Sequence, residues 1–144
     1  MIFLRDEGSV FEATIDEVWA FVGSGDDHSR AHGHRDWRRE QGPGNSGTYS
    51  WEQPFEGRNE RFTMRWVSFH PLGVGYHVLE GPFAGSEFFL YYEPRGARTA
   101  VTIVGEFASP TIPDDRLAAA VLGFFEVEFD QDHAAIRRAG TGEP

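Results

Sequence analysis

The chain has 144 residues and a formal charge of −10, with 13 basic against 23 acidic residues. All its basic residues are arginines, and so acidic a surface repels phosphate backbones and anionic headgroups, which argues against nucleic acid and membrane as partners. The absence of cysteine excludes disulfides, thiolate nucleophiles and cysteine-based zinc sites.

The length fits one domain over residues 1–144. Phe, Trp and Tyr make up 15% of the chain, so core material is ample and rich in rings. No apolar run approaches the ~18 residues of a membrane span. Charges at Arg5, Asp6 and Glu7 break up any leader-like stretch, and the cytoplasm is the expected location.

In chain order, IFLRDEGSVFEA reads as a strand. TIDEVWAFVG follows as a short helix. Thr14 and Glu17 fit a capping box, Ile15, Val18, Trp19 and Val22 share one face, and Gly23 ends it. A second helix of two turns at most, capped by Asp26 or Asp27, lies between Gly25 and Gly33. Six short strands come next, separated by Gly and Pro clusters, a spacing that predicts an antiparallel meander. In the clearest, ERFTMRWVSFH, Phe62, Met64 and Trp66 alternate with Arg61, Thr63 and Arg65. From about 114 to 138 the chain reads as one long helix, with Asp114 and Asp115 at its start and Arg137 and Arg138 at its end. Its apolar stripe runs through Ala118, Leu122, Phe125, Phe129 and Ile136, flanked by Leu117, Val121 and Phe124. So broad a stripe must cover the concave face of the sheet.

The opening FEATIDEVWAFV, the meander and the terminal amphipathic helix together resemble the SRPBCC superfamily, which holds the START-related and birch-pollen-allergen-like proteins. LEGPFAGSEFFLYYEP is also similar to a strand–turn–strand of its polyketide cyclase/dehydratase branch. The resemblance implies an α+β helix-grip fold: a curved seven-stranded antiparallel sheet around a long C-terminal helix, with two short helices between strands 1 and 2. It also implies a cavity between sheet and helix that holds a hydrophobic small molecule, in a monomer or homodimer.

Strand alternation supplies candidate walls for such a cavity. Phe62, Met64, Trp66 and His70 share one face, as do Phe88, Leu90 and Tyr92, and then Val101, Ile103 and Phe107; Phe125 joins them from the helix. His70, at a strand end, and Tyr92 are the candidates for moving protons if the cavity is catalytic. A carrier or sensor of a hydrophobic or aromatic molecule is the first reading. A polyketide cyclase/dehydratase-like enzyme and a regulator of a partner protein are the alternatives. No cofactor is expected.

Three of the six histidines fall in DDHSRAHGH. His28 and His32 are four apart on one helical face, and with His34 nearby and Asp26 or Asp27 as a fourth ligand they have the makings of a zinc site. The flanking glycines and the lack of an HExxH pattern weigh the other way. The segment is therefore read as a polar, solvent-exposed lid across the cavity entrance, with no metal.

Overall fold

In the computed structural model, which describes residues 1–141, the chain opens with strand β1 (Ile2–Phe11) and helices α1 (Ile15–Val22) and α2 (Asp26–Ala31). Strands β2 (Arg35–Gln41), β3 (Ser46–Phe55) and β4 (Arg58–Phe69) follow, then β5 (Gly73–Glu80), β6 (Glu87–Arg95) and β7 (Arg98–Phe107). Helix α3 (Asp114–Thr141) follows β7. This is the expected α+β helix-grip order. The sheet runs β1-β7-β6-β5-β4-β3-β2, antiparallel throughout, so α1 and α2 carry the chain from one sheet edge to the other.

Local chemistry accounts for most boundaries. Thr14 Oγ1 accepts the Glu17 amide at 3.3 Å, and Glu17 Oε1 accepts the Thr14 amide at 3.1 Å, which satisfies two amides at the start of α1. The expected aspartate cap of α2 is absent. Gly25, at φ 65°, makes the turn, and the Ser24 hydroxyl accepts the His28 amide at 3.2 Å. Asp26 instead accepts the Trp37 indole N–H at 3.1 Å, tying α2 to β2. The β3–β4 hairpin closes through Glu56 and Gly57, both at positive φ, as a two-residue loop matched to strand twist requires.

Helix α3 has 28 residues and is ~42 Å long. Its buried face differs from the stripe read in the sequence. Leu117, Val121 and Ile136 are buried, whereas Ala118 and Leu122 are exposed. A hydrophobicity pattern skips charged positions, yet the inward face includes Glu128 and Asp132, and this rotates its centre. Among the described residues no helix is long and apolar enough to cross a membrane.

The core is divided. One cluster gathers Trp51, Phe62, Val78, Phe83, Phe88, Phe107, Leu117 and Val121, with the Phe62 ring 5.5 Å from Trp51 and 5.6 Å from Phe124. The other gathers Phe11, Ala13, Val18, Tyr92, Val101 and Ile136. Each binds α3 to the sheet, one through Leu117 and Val121, the other through Ile136. Along the middle of α3, Phe125 packs on the first cluster and Phe129 on the second.

Candidate functional site: a cavity with a histidine–carboxylate wall

Between the two clusters lies a cavity of about 700 Å³, within the range of small-molecule sites. Trp51, Met64, Phe88 and Ile103 line it from one cluster; Phe11, Tyr92 and Val101 line it from the other. Phe124, Phe125 and Phe129 of α3 and Trp37, Tyr49 and Tyr76 of the sheet complete the apolar wall. Its exposed lining residues are Glu7 and Gly8 on β1 and Leu122, Glu126 and Asp130 on α3. The opening is therefore a seam between β1 and α3. A bulge makes room there, since the pairing of β1 with β7 slips between Asp6 and Ser9 and Gly8 sits at φ 104°.

Three phenols line this space: Tyr49, Tyr76 and Tyr92. Among the described residues none of their oxygens is hydrogen-bonded to the protein, and none is sealed from the space around it. Burial raises the Tyr92 pKa, and the negative charge of Asp132 adds to the effect. Burial likewise holds Tyr76 well above its ordinary value, with Tyr92, Tyr49 and Asp132 contributing. Burial raises Tyr49 too, against the pull of Arg39. All three are therefore neutral hydroxyls at pH 7, able to donate or accept a hydrogen bond.

The polar wall is made by α2 and α3. His28 and His32 face Glu128 and Asp132, two pairs each spaced by four residues, so each pair lies on one helical face. Asp132 Oδ1 lies 3.0 Å from His28 Nε2 and 2.8 Å from His32 Nε2. His32 Nδ1 lies 2.8 Å from Glu128 Oε2 and 2.7 Å from Gln131 Oε1. Burial opposes a charge on His32, but Asp132 and Glu128 outweigh it and raise its pKa to about 10. Burial also opposes ionisation of Asp132, yet His28 and His32 beside it hold its pKa at about 2. His34 is pushed down to about 3 by burial and by the charges of His32 and His28. Its ring stacks on Trp51 at 4.4 Å, and its Nε2 is buried without a partner among the described residues.

This placement corrects the reading of α2 as a solvent-exposed polar lid. The His32 side chain is only 4% exposed, and α2 closes an inner wall while the opening lies elsewhere. The inward turn of the histidines depends on carboxylates about a hundred residues away, which local spacing does not reveal.

Of the candidate wall residues, Met64, Phe88, Leu90, Tyr92, Ile103 and Phe125 line the cavity. Phe62 and Phe107 do not; they lie in the solid cluster, where aromatic neighbours fill the space in front of them. Trp66 packs on Tyr49 at 5.5 Å and also lies outside the lining. His70 is exposed and outside the cavity. The Trp19 indole packs against His70 at 4.7 Å and against Tyr92 at 5.4 Å, so it stands between the imidazole and the cavity wall.

The lining residues not singled out from the sequence include Trp37, Tyr49, Trp51, Tyr76, Glu128 and Asp132. Tyr49 and Trp51 alternate in TYSWEQ, as Val74, Tyr76 and Val78 do in VGYHVLE, so the period of two was there to be used. Between Phe125 and Ile136 the sequence holds two acidic i,i+4 pairs, Glu126 with Asp130 and Glu128 with Asp132, and the sequence alone does not single out the second, which the fold turns inward.

The fold is that of the helix-grip proteins, the architecture shared by START-related proteins, pollen-allergen-like proteins and aromatase/cyclases. No protein-family model matches the sequence, and no curated protein does. Among solved structures, the chain is similar to TTHA0849 from Thermus thermophilus, at a TM-score of 0.78 and 15% identity over 96% of this chain and 99% of that one. It is similar to the Zhui aromatase/cyclase from Streptomyces sp., at a TM-score of 0.73 and 15% identity over 99% and 100% of the two chains. A START superfamily protein from Mycobacterium smegmatis matches at a TM-score of 0.75 and 10% identity over 95% and 98%. At such identities the likeness is one of fold.

Proposed function

We propose that this protein binds one hydrophobic or aromatic small molecule in the cavity between sheet and α3, as a cytoplasmic carrier or sensor. The observation that carries this reading is the division of the core around about 700 Å³ of space walled by aromatic rings. A void of that size forfeits packing, and an apolar guest restores it. The free phenols of Tyr49, Tyr76 and Tyr92 supply the few polar contacts that orient a guest within apolar walls. The preferred guest is therefore a flat apolar molecule bearing one or more oxygens.

A cyclase or dehydratase acting on a polyketide-like chain is the second reading. What favours it is the set of three hydroxyls around one chamber, which can hold several oxygens of a chain in a reactive conformer. Tyr92 is the candidate from the sequence that reaches the cavity; with its raised pKa it donates a hydrogen bond and does not serve as a base.

Native mass spectrometry of freshly purified protein tests the binding reading. It expects a species heavier than the bare chain that loses a small molecule on denaturation, and saturable one-to-one binding of 2-naphthol. Protein that is bare and also fails to bind 2-naphthol refutes it. Turnover of an aromatic or polyketide substrate that collapses in Tyr92→Phe, while binding survives, moves the conclusion to the enzyme.

A further inference from the structure

We propose that His28, His32 and Asp132 form a binding site for a divalent transition-metal ion on the wall of the cavity. The three donor atoms all lie within 4.8 Å of one another. Two are set by α2 and its C-cap His32, where a spacing of four residues brings both imidazoles to one face, and the third comes from α3. Ligands about 2.0–2.2 Å from one ion and at roughly right to tetrahedral angles lie about 2.8–3.5 Å apart. The Asp132 Oδ1 distances of 3.0 Å to His28 Nε2 and 2.8 Å to His32 Nε2 meet that requirement.

Direction matters as much as distance. Asp132 Oδ1 is buried and close to two ring nitrogens, yet neither ring nitrogen is aimed at it, and it makes no hydrogen bond of ordinary geometry. Donors that converge on a shared ion are aimed between their neighbours, not at them. A salt-bridged triad without metal would be expected to align at least one N–H with the oxygen.

The surroundings of His32 supply a further, independent observation. A metal-bound imidazole usually donates its other N–H to a carboxylate or an amide oxygen, which fixes the tautomer and aims the free lone pair. His32 Nδ1 meets Glu128 Oε2 at 2.8 Å and Gln131 Oε1 at 2.7 Å, which leaves Nε2 for the ion. A rival grouping of His32, His34 and Glu128 also has its donor atoms within 4.8 Å, but it removes that orienting contact by making Glu128 a ligand. Two imidazoles and one carboxylate suit Zn²⁺, Co²⁺ or Ni²⁺ better than Mg²⁺ or Ca²⁺, which prefer oxygen throughout. Three protein ligands leave coordination positions open beside the cavity, where His34 Nε2 is buried and unpartnered among the described residues.

The test titrates chelator-treated full-length protein with Co²⁺ and follows visible d–d absorption, with Zn²⁺ calorimetry alongside. No organic ligand is present, so the outcome is independent of the cavity reading. One ion per chain is expected, with Zn²⁺ raising the melting temperature. His28→Ala and Asp132→Asn should each weaken binding by roughly 100-fold or more, Glu128→Gln by about 10- to 100-fold, and the exposed His70→Ala not at all. Side-chain nitrogen NMR of the wild type should show Nε2 metallated on both His28 and His32; this readout needs no variant to fold. Failure of the folded wild type to bind either ion overturns the proposal. So does binding that survives His28→Ala and Asp132→Asn, or a spectrum that places the ion on His34 in place of His28.

Discussion

Replacing Tyr92 by phenylalanine separates the cavity's polar groups from its scaffold. The Tyr92 ring is 4% exposed and packs edge-on to Trp19 at 5.4 Å, contacts that phenylalanine keeps. The oxygen alone is lost, and it has no protein hydrogen bond among the described residues. Stability should therefore change by no more than about 0.5 kcal/mol, since removing an unpaired buried hydroxyl is neutral or stabilising. Binding of a hydroxylated guest should lose one neutral hydrogen bond, about 0.5–1.5 kcal/mol. At about 1.4 kcal/mol per decade this is roughly a 2- to 12-fold rise in Kd. Urea denaturation measures the first quantity, and fluorescence titration with 2-naphthol the second. Naphthalene, which has no oxygen, serves as control and should bind wild type and variant equally. The reasoning fails if the variant loses more than about 1 kcal/mol, which would give the hydroxyl a structural role. It fails equally if naphthalene weakens as much as 2-naphthol does.

Further outcomes follow from the same geometry. Phe62→Ala should cost about 3–5 kcal/mol in urea denaturation because a filled cluster surrounds it, whereas Met64→Ala, whose far side is cavity, should cost close to ~2 kcal/mol. Thr14→Ala removes the α1 cap and should lower stability by about 1 kcal/mol, read as a melting temperature reduced by roughly 2–4 °C. His70→Ala should leave 2-naphthol affinity unchanged, because Trp19 stands between that ring and the cavity. The folded pKa values of Tyr76 and Tyr92 lie above the unfolded value, so above about pH 10 the unfolded state releases these protons first and stability falls as pH rises. Ultraviolet difference spectra should accordingly show cavity tyrosines ionising only as the fold is lost.

The fold was legible because its signals are local. Thr14 and Glu17 lie three residues apart, and the alternation of Phe62, Met64 and Trp66 needs no knowledge of the rest of the chain. The candidate site was legible in part. Alternation shows which face of a strand is inward, but not whether space or another side chain lies in front of it. Phe62 and Met64 share a face, yet only Met64 meets the cavity, because Trp51 and Phe124 fill the place before Phe62. The histidines were visible from their spacing; their partners were not, since Glu128 and Asp132 join them only once α2 lies against α3. Charged residues in a helical stripe read as interruptions until something opposite gives them a use.

The fastening of α3 through Leu117 and Val121 near one end and Ile136 near the other makes it a beam pinned at both supports. Lifting either end would tear a cluster of rings from the sheet, far too costly for routine traffic. Exchange with solvent must instead pass through the slot beside the kinked border strand, where Gly8 and Leu122 stand on opposite banks. The width of that slot, and how often its margin frays, sets the residence time of whatever lies inside.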